Sequence, residues 1–283
     1  MPGLKTRIWI AVPLLFALIS LTGCSSAPKG PQPGTPAFYW QAAKDTFAKK
    51  DYLKTADHLD LVVKTQNEFT KPAQVMRLVL TAGMAKGYID LASSFDLGAK
   101  ANTFKPMPFR KVSSDYLKMA EIRALEFGET YLDFVKNDKD ANIDLEFGYP
   151  SADMTEIQEL KPIVAGRSLP DETVQASLER KSLAKAIALS ACAAVGAAND
   201  TAKGQAAFQN GSAQVPRETF MLAMATNLYD TADLFGRKKL DKADRLEMFA
   251  KEAKDALKQV KDSKESKSLS AKVDKLIQGS KSR

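Results

Sequence analysis

The chain has 283 residues, 45% hydrophobic and 27% charged, with 41 basic and 34 acidic side chains for a formal charge of +7. That composition excludes a wholly disordered chain, and the length suffices for one or two packed domains. The charge excess lies at the ends: residues 1–23 carry +2 and residues 251–283 carry +5, so 24–250 is neutral and offers no net basic face for nucleic acid.

Residues 1–23 have the parts of an export leader. Lys5 and Arg7 form a positive start, and Ile8 to Ile19 is an apolar stretch broken only by Pro13. The stretch is too short, and too soon followed by polar residues, to stay in a bilayer as a spanning helix. Leu21-Thr22-Gly23-Cys24 comes next. Small residues before a cysteine at this place resemble the bacterial lipobox. The resemblance implies cleavage after Gly23, diacylglycerol on the Cys24 sulfur and a further acyl chain on the new amine. At about 0.8 kcal/mol per buried CH₂, two or three such chains make a stable anchor. Ser25, not Asp, follows the cysteine; in enteric-type lipoproteins that pattern implies the outer membrane, facing the periplasm. An ordinary secretory signal with a chance cysteine, or an uncleaved anchor, is the alternative. Residues 24–36 then read as a tether, with four Pro and two Gly between Ser25 and Pro36.

Residues 37–63 show helical spacing in two runs, Phe38, Trp40, Ala43, Phe47 and then Leu53, Ala56, Leu59, Val63, with Lys49-Lys50-Asp51 between them. The pattern Trp40-x2-Ala43-x3-Phe47-x5-Leu53-x2-Ala56 resembles the tetratricopeptide repeat, which implies two closely packed antiparallel helices. Lys44 and Asp60 depart from it where a glycine and an aromatic are usual. His58, the single histidine, falls in this hairpin as a helix-surface or partly buried residue; one histidine cannot make a His-rich zinc site. Further helices are expected over 73–92 and 114–135, where Leu117, Ala120, Ala124 and Phe127 match the second-helix spacing of the same repeat. Between them, near 98–112, Pro106 and Pro108 are expected to bar helix. Lys100, Lys105, Arg110 and Lys111 make this connection basic, either a solvated link or a partner-binding loop.

Residues 137–170 read as irregular. Asp138, Asp140, Asn142 and Asp144 alternate as in a calcium loop, but Ile143 and Tyr149 stand where Gly and Glu are required, so an acidic solvated loop without metal is expected. Helix is expected from about 170 to 198, with an alanine-rich part suited to close packing and Cys192 as a buried, inert thiol. A loop over 199–214 and a helical hairpin over 216–235 and 240–260 complete the body. Residues 263–283 form a basic tail, read as a solvated extension or one short amphipathic helix, whose removal is expected to leave the thermal melt unchanged.

The expected class is all-α: a single helical domain, 37–262, of stacked antiparallel pairs resembling tetratricopeptide repeats at 37–69, 75–136 and 216–250, or else a generic bundle. The chain contains no GxSxG, HExxH, P-loop or GxGxxG string, and no cofactor is expected. The corresponding function is a non-enzymatic, membrane-anchored periplasmic scaffold or adaptor with an envelope protein as partner. The alternative is a small-molecule-binding accessory protein of an envelope transport system.

Overall fold

The computed structural model describes residues 30–198 and 200–281. The leader and Cys24, on which the lipid anchor rests, lie outside them. The protein is all-α, with ten helices and one two-stranded sheet among the described residues.

The first hairpin follows the sequence pattern. Gly34 turns the chain with φ +86, and the Thr35 hydroxyl accepts from Phe38 N (3.3 Å) at the start of α1 (Pro36–Ala48). Proline at the first helical position suits both its fixed φ and its missing N–H. Asp51 caps α2 (Tyr52–Val63) by accepting from Lys54 N (3.4 Å). Trp40, Ala43, Phe47, Ala56 and Leu59 are all buried.

α3 (Thr70–Ala101) and α4 (Pro106–Asn137) are 32 residues each, about 48 Å long at 1.5 Å per residue. They form an antiparallel hairpin whose contacts step away from the turn: Ser113 Oγ donates to the Ala92 carbonyl (2.8 Å), Tyr88 faces Tyr116 (6.1 Å), and Arg77 donates to Thr130 Oγ1 (2.5 Å). Residues are buried around the whole circumference of α3, which makes it the central helix of the fold. It packs against α2, α4, α5, α6, α8 and β1.

After α4 come β1 (Asn142–Leu145), α5 (Leu160–Val164) and α6 (Glu172–Ala194), the last capped by Asp171 accepting from Val174 N (2.9 Å). α6 crosses α3 at close range. A Cβ on Gly83 would lie 2.5 Å from Ile187 Cα, and one on Gly87 would lie 3.0 Å from a Leu183 methyl. Ala184, Ala188 and Ala191 are buried on α6, so small residues on both helices permit the approach. α7 (Thr201–Ala207), β2 (Ala213–Pro216), α8 (Arg217–Leu234), α9 (Ala243–Leu257) and α10 (Lys264–Lys281) follow. β1 and β2 pair antiparallel with Ile143 opposite Val215, both buried. Phe235, at the C-terminal end of α8, stacks on Phe249 in the middle of α9 at 5.4 Å, and Phe249 fills the space left by Gly128 on α4. One continuous core runs from Trp40 to Val273.

Four expectations change. The basic connection is mostly helix: α3 extends to Ala101 and α4 starts at Pro106, leaving Asn102 to Lys105 as the turn. Pro106 and Pro108 occupy the first turn, where an N–H has no intrahelical partner to lose. Residues 137–170 are irregular outside β1 and α5, but they are not a detached loop, since Ile143, Leu145, Phe147 and Ile163 are buried in the core. Asp138 is not solvated, since its side chain is only 6% exposed and pairs with Arg217 at 2.9 Å. The C-terminal tail is a docked helix, with Val273 fully buried and Leu269 nearly so. The α3–α4 helices are also more than twice as long as α1 (13 residues) and α2 (12 residues), so the two pairs are not copies of one unit.

Candidate interaction surface at the α3–α4 turn

The turn between the long helices is braced from two sides. Asn102 Oδ1 accepts from Phe104 N (3.1 Å) and Lys105 N (2.8 Å), while its Nδ2 donates to the Gly166 carbonyl (2.9 Å). Gly166 has φ +65, and a Cβ there would lie 2.7 Å from Asn102 N. Both the conformation and the space call for glycine. Gly98 sits as tightly, with Ile163 O at 2.2 Å from a would-be Cβ. The segment carrying α5 is thus clamped to the C-terminal end of α3.

This bracing sorts the apolar residues of the turn. Phe109 points inward and is 3% exposed, whereas Phe104 is 94% and Met107 66% exposed. Leu97, Val164 and Leu169 are exposed on the neighbouring segments. Single exposed apolar residues are ordinary, so it is their recurrence around one braced turn that makes this a candidate interaction surface. A groove of about 490 Å³ between α3, α5 and α6 continues from Val164, lined by Ile157, Leu160 and Leu189 among others.

The four basic residues singled out in the sequence lie around this patch. Lys100 is held by Asp96 at 2.6 Å, one helical turn back. Lys105, Arg110 and Lys111 are exposed and have no ion-pair partner among the described residues. The sequence reading found the cations and missed Phe104 and Met107, although two apolar residues set among prolines in Phe104-Lys105-Pro106-Met107-Pro108 carried the signal.

The remaining chemical candidates are structurally committed. Cys192 is fully buried, burial pushes its thiol pKa up, and its sulfur lies 3.3 Å from the Tyr149 hydroxyl. His58 is partly buried and stacks with Tyr39 at 6.3 Å. In the acidic string, Asp138 is taken by Arg217 and Asp140 by Lys71 (2.8 Å). No group of three His, Cys, Asp or Glu among the described residues is placed to hold a metal ion. Burial raises the pKa of Asp60 and Glu126, each opposed by a neighbouring arginine, Arg77 at 2.7 Å and Arg123 at 2.7 Å respectively. The Asp60–Arg77 pair joins α2 to α3, whereas Glu126–Arg123 lies within α4.

Comparison with protein-family models, curated proteins and solved structures finds no match to the chain.

Proposed function

We propose that the protein is a lipoprotein of the bacterial outer membrane, anchored through Cys24 and facing the periplasm, that acts as a non-enzymatic scaffold or adaptor. In this reading the α3–α4 turn docks an envelope protein. The observation that carries it is the exposed pair Phe104 and Met107 on a braced turn, beside the unpaired cations Lys105, Arg110 and Lys111. Aromatic and methionine side chains supply interface energy, and neighbouring cations steer an acidic partner into register. The partner is therefore an acidic protein surface with an apolar recess.

The placement of the turn supports the reading. Trp40 of α1 stacks on Phe69 at 6.4 Å, immediately before α3 begins, so the tether joins the fold near the N-terminal end of α3. The turn lies at the other end of that helix, about 45 Å away. The tether itself reaches at most about 45 Å when fully extended. An anchored molecule can therefore hold the turn well clear of its own bilayer.

Two measurements test the reading. Cys24→Ala is expected to move the protein from the detergent to the aqueous phase in a partitioning assay, and unchanged partitioning would sink the anchor. For the turn, crosslinking in intact envelopes should yield a discrete adduct that Phe104→Ala with Met107→Ala removes. Loss of an aromatic anchor of about 2 kcal/mol corresponds to roughly 30-fold weaker binding. The melting midpoint should stay the same, because both side chains are exposed. An adduct retained at full yield would remove the turn from the proposal.

A further inference from the structure

A groove of about 690 Å³ runs between the C-terminal end of α8, the 236–242 connection and α10. Local sequence builds both of its sides. On α10, Lys272, Lys275, Leu276 and Gly279 recur at helical spacing, so they share one face. All four line the groove. Leu269 and Val273, buried on the adjoining face, fix how α10 is turned. Across the groove, Arg237 and Lys238 stand on a connection tied down by its own backbone. Lys239 N and Asp241 N donate to the Gly236 carbonyl (3.0 and 3.1 Å), and Lys242 N donates to the Phe235 carbonyl (3.0 Å).

The charge of this lining is one-sided. Its single acid, Asp233, is taken by Lys239 at 2.8 Å. Arg237, Lys238, Lys272 and Lys275 are exposed and have no ion-pair partner among the described residues. Lysines on other faces of the same region behave differently: Lys251 pairs with Glu247 (2.9 Å), Lys254 with Asp274 (2.6 Å) and Lys258 with Asp255 (2.6 Å). Four unneutralised cations around one concavity raise the local potential and draw an anionic group to it. Below them the groove is apolar. Leu246 is 2% exposed, and Tyr229 and Leu276 are half-buried against the core.

We propose that this groove docks an acidic amphipathic segment of a partner protein, whose carboxylates meet the four cations and whose apolar side chains enter between them. Charge complementarity sets the sign of the partner, its register and its rate of association. Shape sets the class. The apolar floor is recessed, so a bilayer surface, flat on this scale, would touch the cations and leave the floor uncovered. A polypeptide presents acidic and apolar side chains together and reaches both. The surface shares no residue with the α3–α4 turn and does not depend on the anchor.

Photocrosslinking of the full chain, in the cells that make it, tests this. A side chain added at Gly279 meets nothing within 4 Å, so Gly279→p-benzoylphenylalanine puts a photoreactive ketone in the groove and keeps all four cations. Illumination should give one protein adduct. Mass spectrometry should map it to a segment of net negative charge with apolar residues at helical spacing. Adding Lys272→Glu with Lys275→Glu should cut its yield by roughly tenfold or more, with the melting midpoint unchanged because both side chains are exposed. The charge control is Lys49→Glu with Lys64→Glu, exposed positions at the ends of α1 and α2, which should leave the yield as it was. No adduct, an adduct to phospholipid or to a second copy of this chain, a neutral or basic crosslinked segment, or an equal loss of yield in the control would each overturn the proposal.

Discussion

Asp230 on α8 shows how one carboxylate can work against its own fold. Burial is the largest influence on it and raises its pKa. The two nearby lysines are already engaged, Lys86 by Asp90 (2.5 Å) and Lys239 by Asp233 (2.8 Å). A folded-state pKa above the unfolded one means that protonation favours folding. This contribution is complete below the ordinary value of 3.8 and is lost as pH rises through the raised pKa. Asp230→Asn should therefore melt a few degrees higher than the parent at pH 8, with the gap closing at pH 4; scanning calorimetry at the two pH values decides, and a lower midpoint at pH 8 would contradict it. Asp60 has the same direction of shift but a different role. Its partner Arg77 is only 14% exposed at the side chain, and removing one member of such a pair strands the other. None of this is legible in the sequence, where all three residues are simply charges on helical stretches. The same holds for Asp138, whose place in an alternating acidic string suggested solvation, although Arg217, 79 positions along the chain, is its partner.

At the scale of elements, periodicity revealed the helices that obey it. α1, α2, α6, α8 and α9 lie close to their expected limits: α1, α2 and α6 begin at a capping side chain, α9 has a distinct apolar face, and α8 starts directly after Pro216. The α3–α4 connection was misread because proline bars a helix interior but not a first turn, and sequence alone does not say which position Pro106 and Pro108 occupy. β1 and β2 are four residues each, too short for alternation to stand out, and their inward faces, Ile143 with Val215 and Leu145 with Ala213, are buried in the shared core. The alanine run of α6 did announce a close helix contact. Its complement, Gly83 and Gly87 four positions apart on α3, gave no separate signal. On an exposed helix, Gly→Ala stabilises by about 0.5–1 kcal/mol. Here the new methyl of Gly83→Ala would meet the Ile187 backbone at 2.5 Å, and the helices would have to part. A loss of about 1–3 kcal/mol is expected. Gly87→Ala meets the Leu183 side chain at 3.0 Å and the α6 backbone only at 3.2 Å, a milder approach than at Gly83, and should lose less. Urea midpoints rank the two, and a more stable Gly83→Ala would refute the close crossing.

Over the whole molecule the charge excess takes a different form from the one its sequence position suggests. Of the +5 in residues 251–283, the part within the described residues is not on a loose extension, because α10 folds back along α9 and α8. Leu269 and Val273 are buried, and Leu276 and Ile277 pack on the core. Some of its charges are neutralised in place, with Lys254 on Asp274 (2.6 Å) and Lys267 on Asp262 (3.1 Å). These exposed pairs contribute little to stability, so docking rests on the apolar side. Fully burying a valine or leucine is worth about 1.5–3 kcal/mol each, and ordering the helix offsets part of that. A net contribution of about 2–3 kcal/mol, at roughly 2–4 °C per kcal/mol for a body of this size, sets the expected effect of truncation after Ser263. The melting midpoint should fall by about 5–10 °C. Val273→Asp should reproduce most of the fall, since it places a charge at a position with no exposure. A truncated chain that melts with the parent would mean that α10 is detached in solution and the molecule ends, in stability terms, at α9.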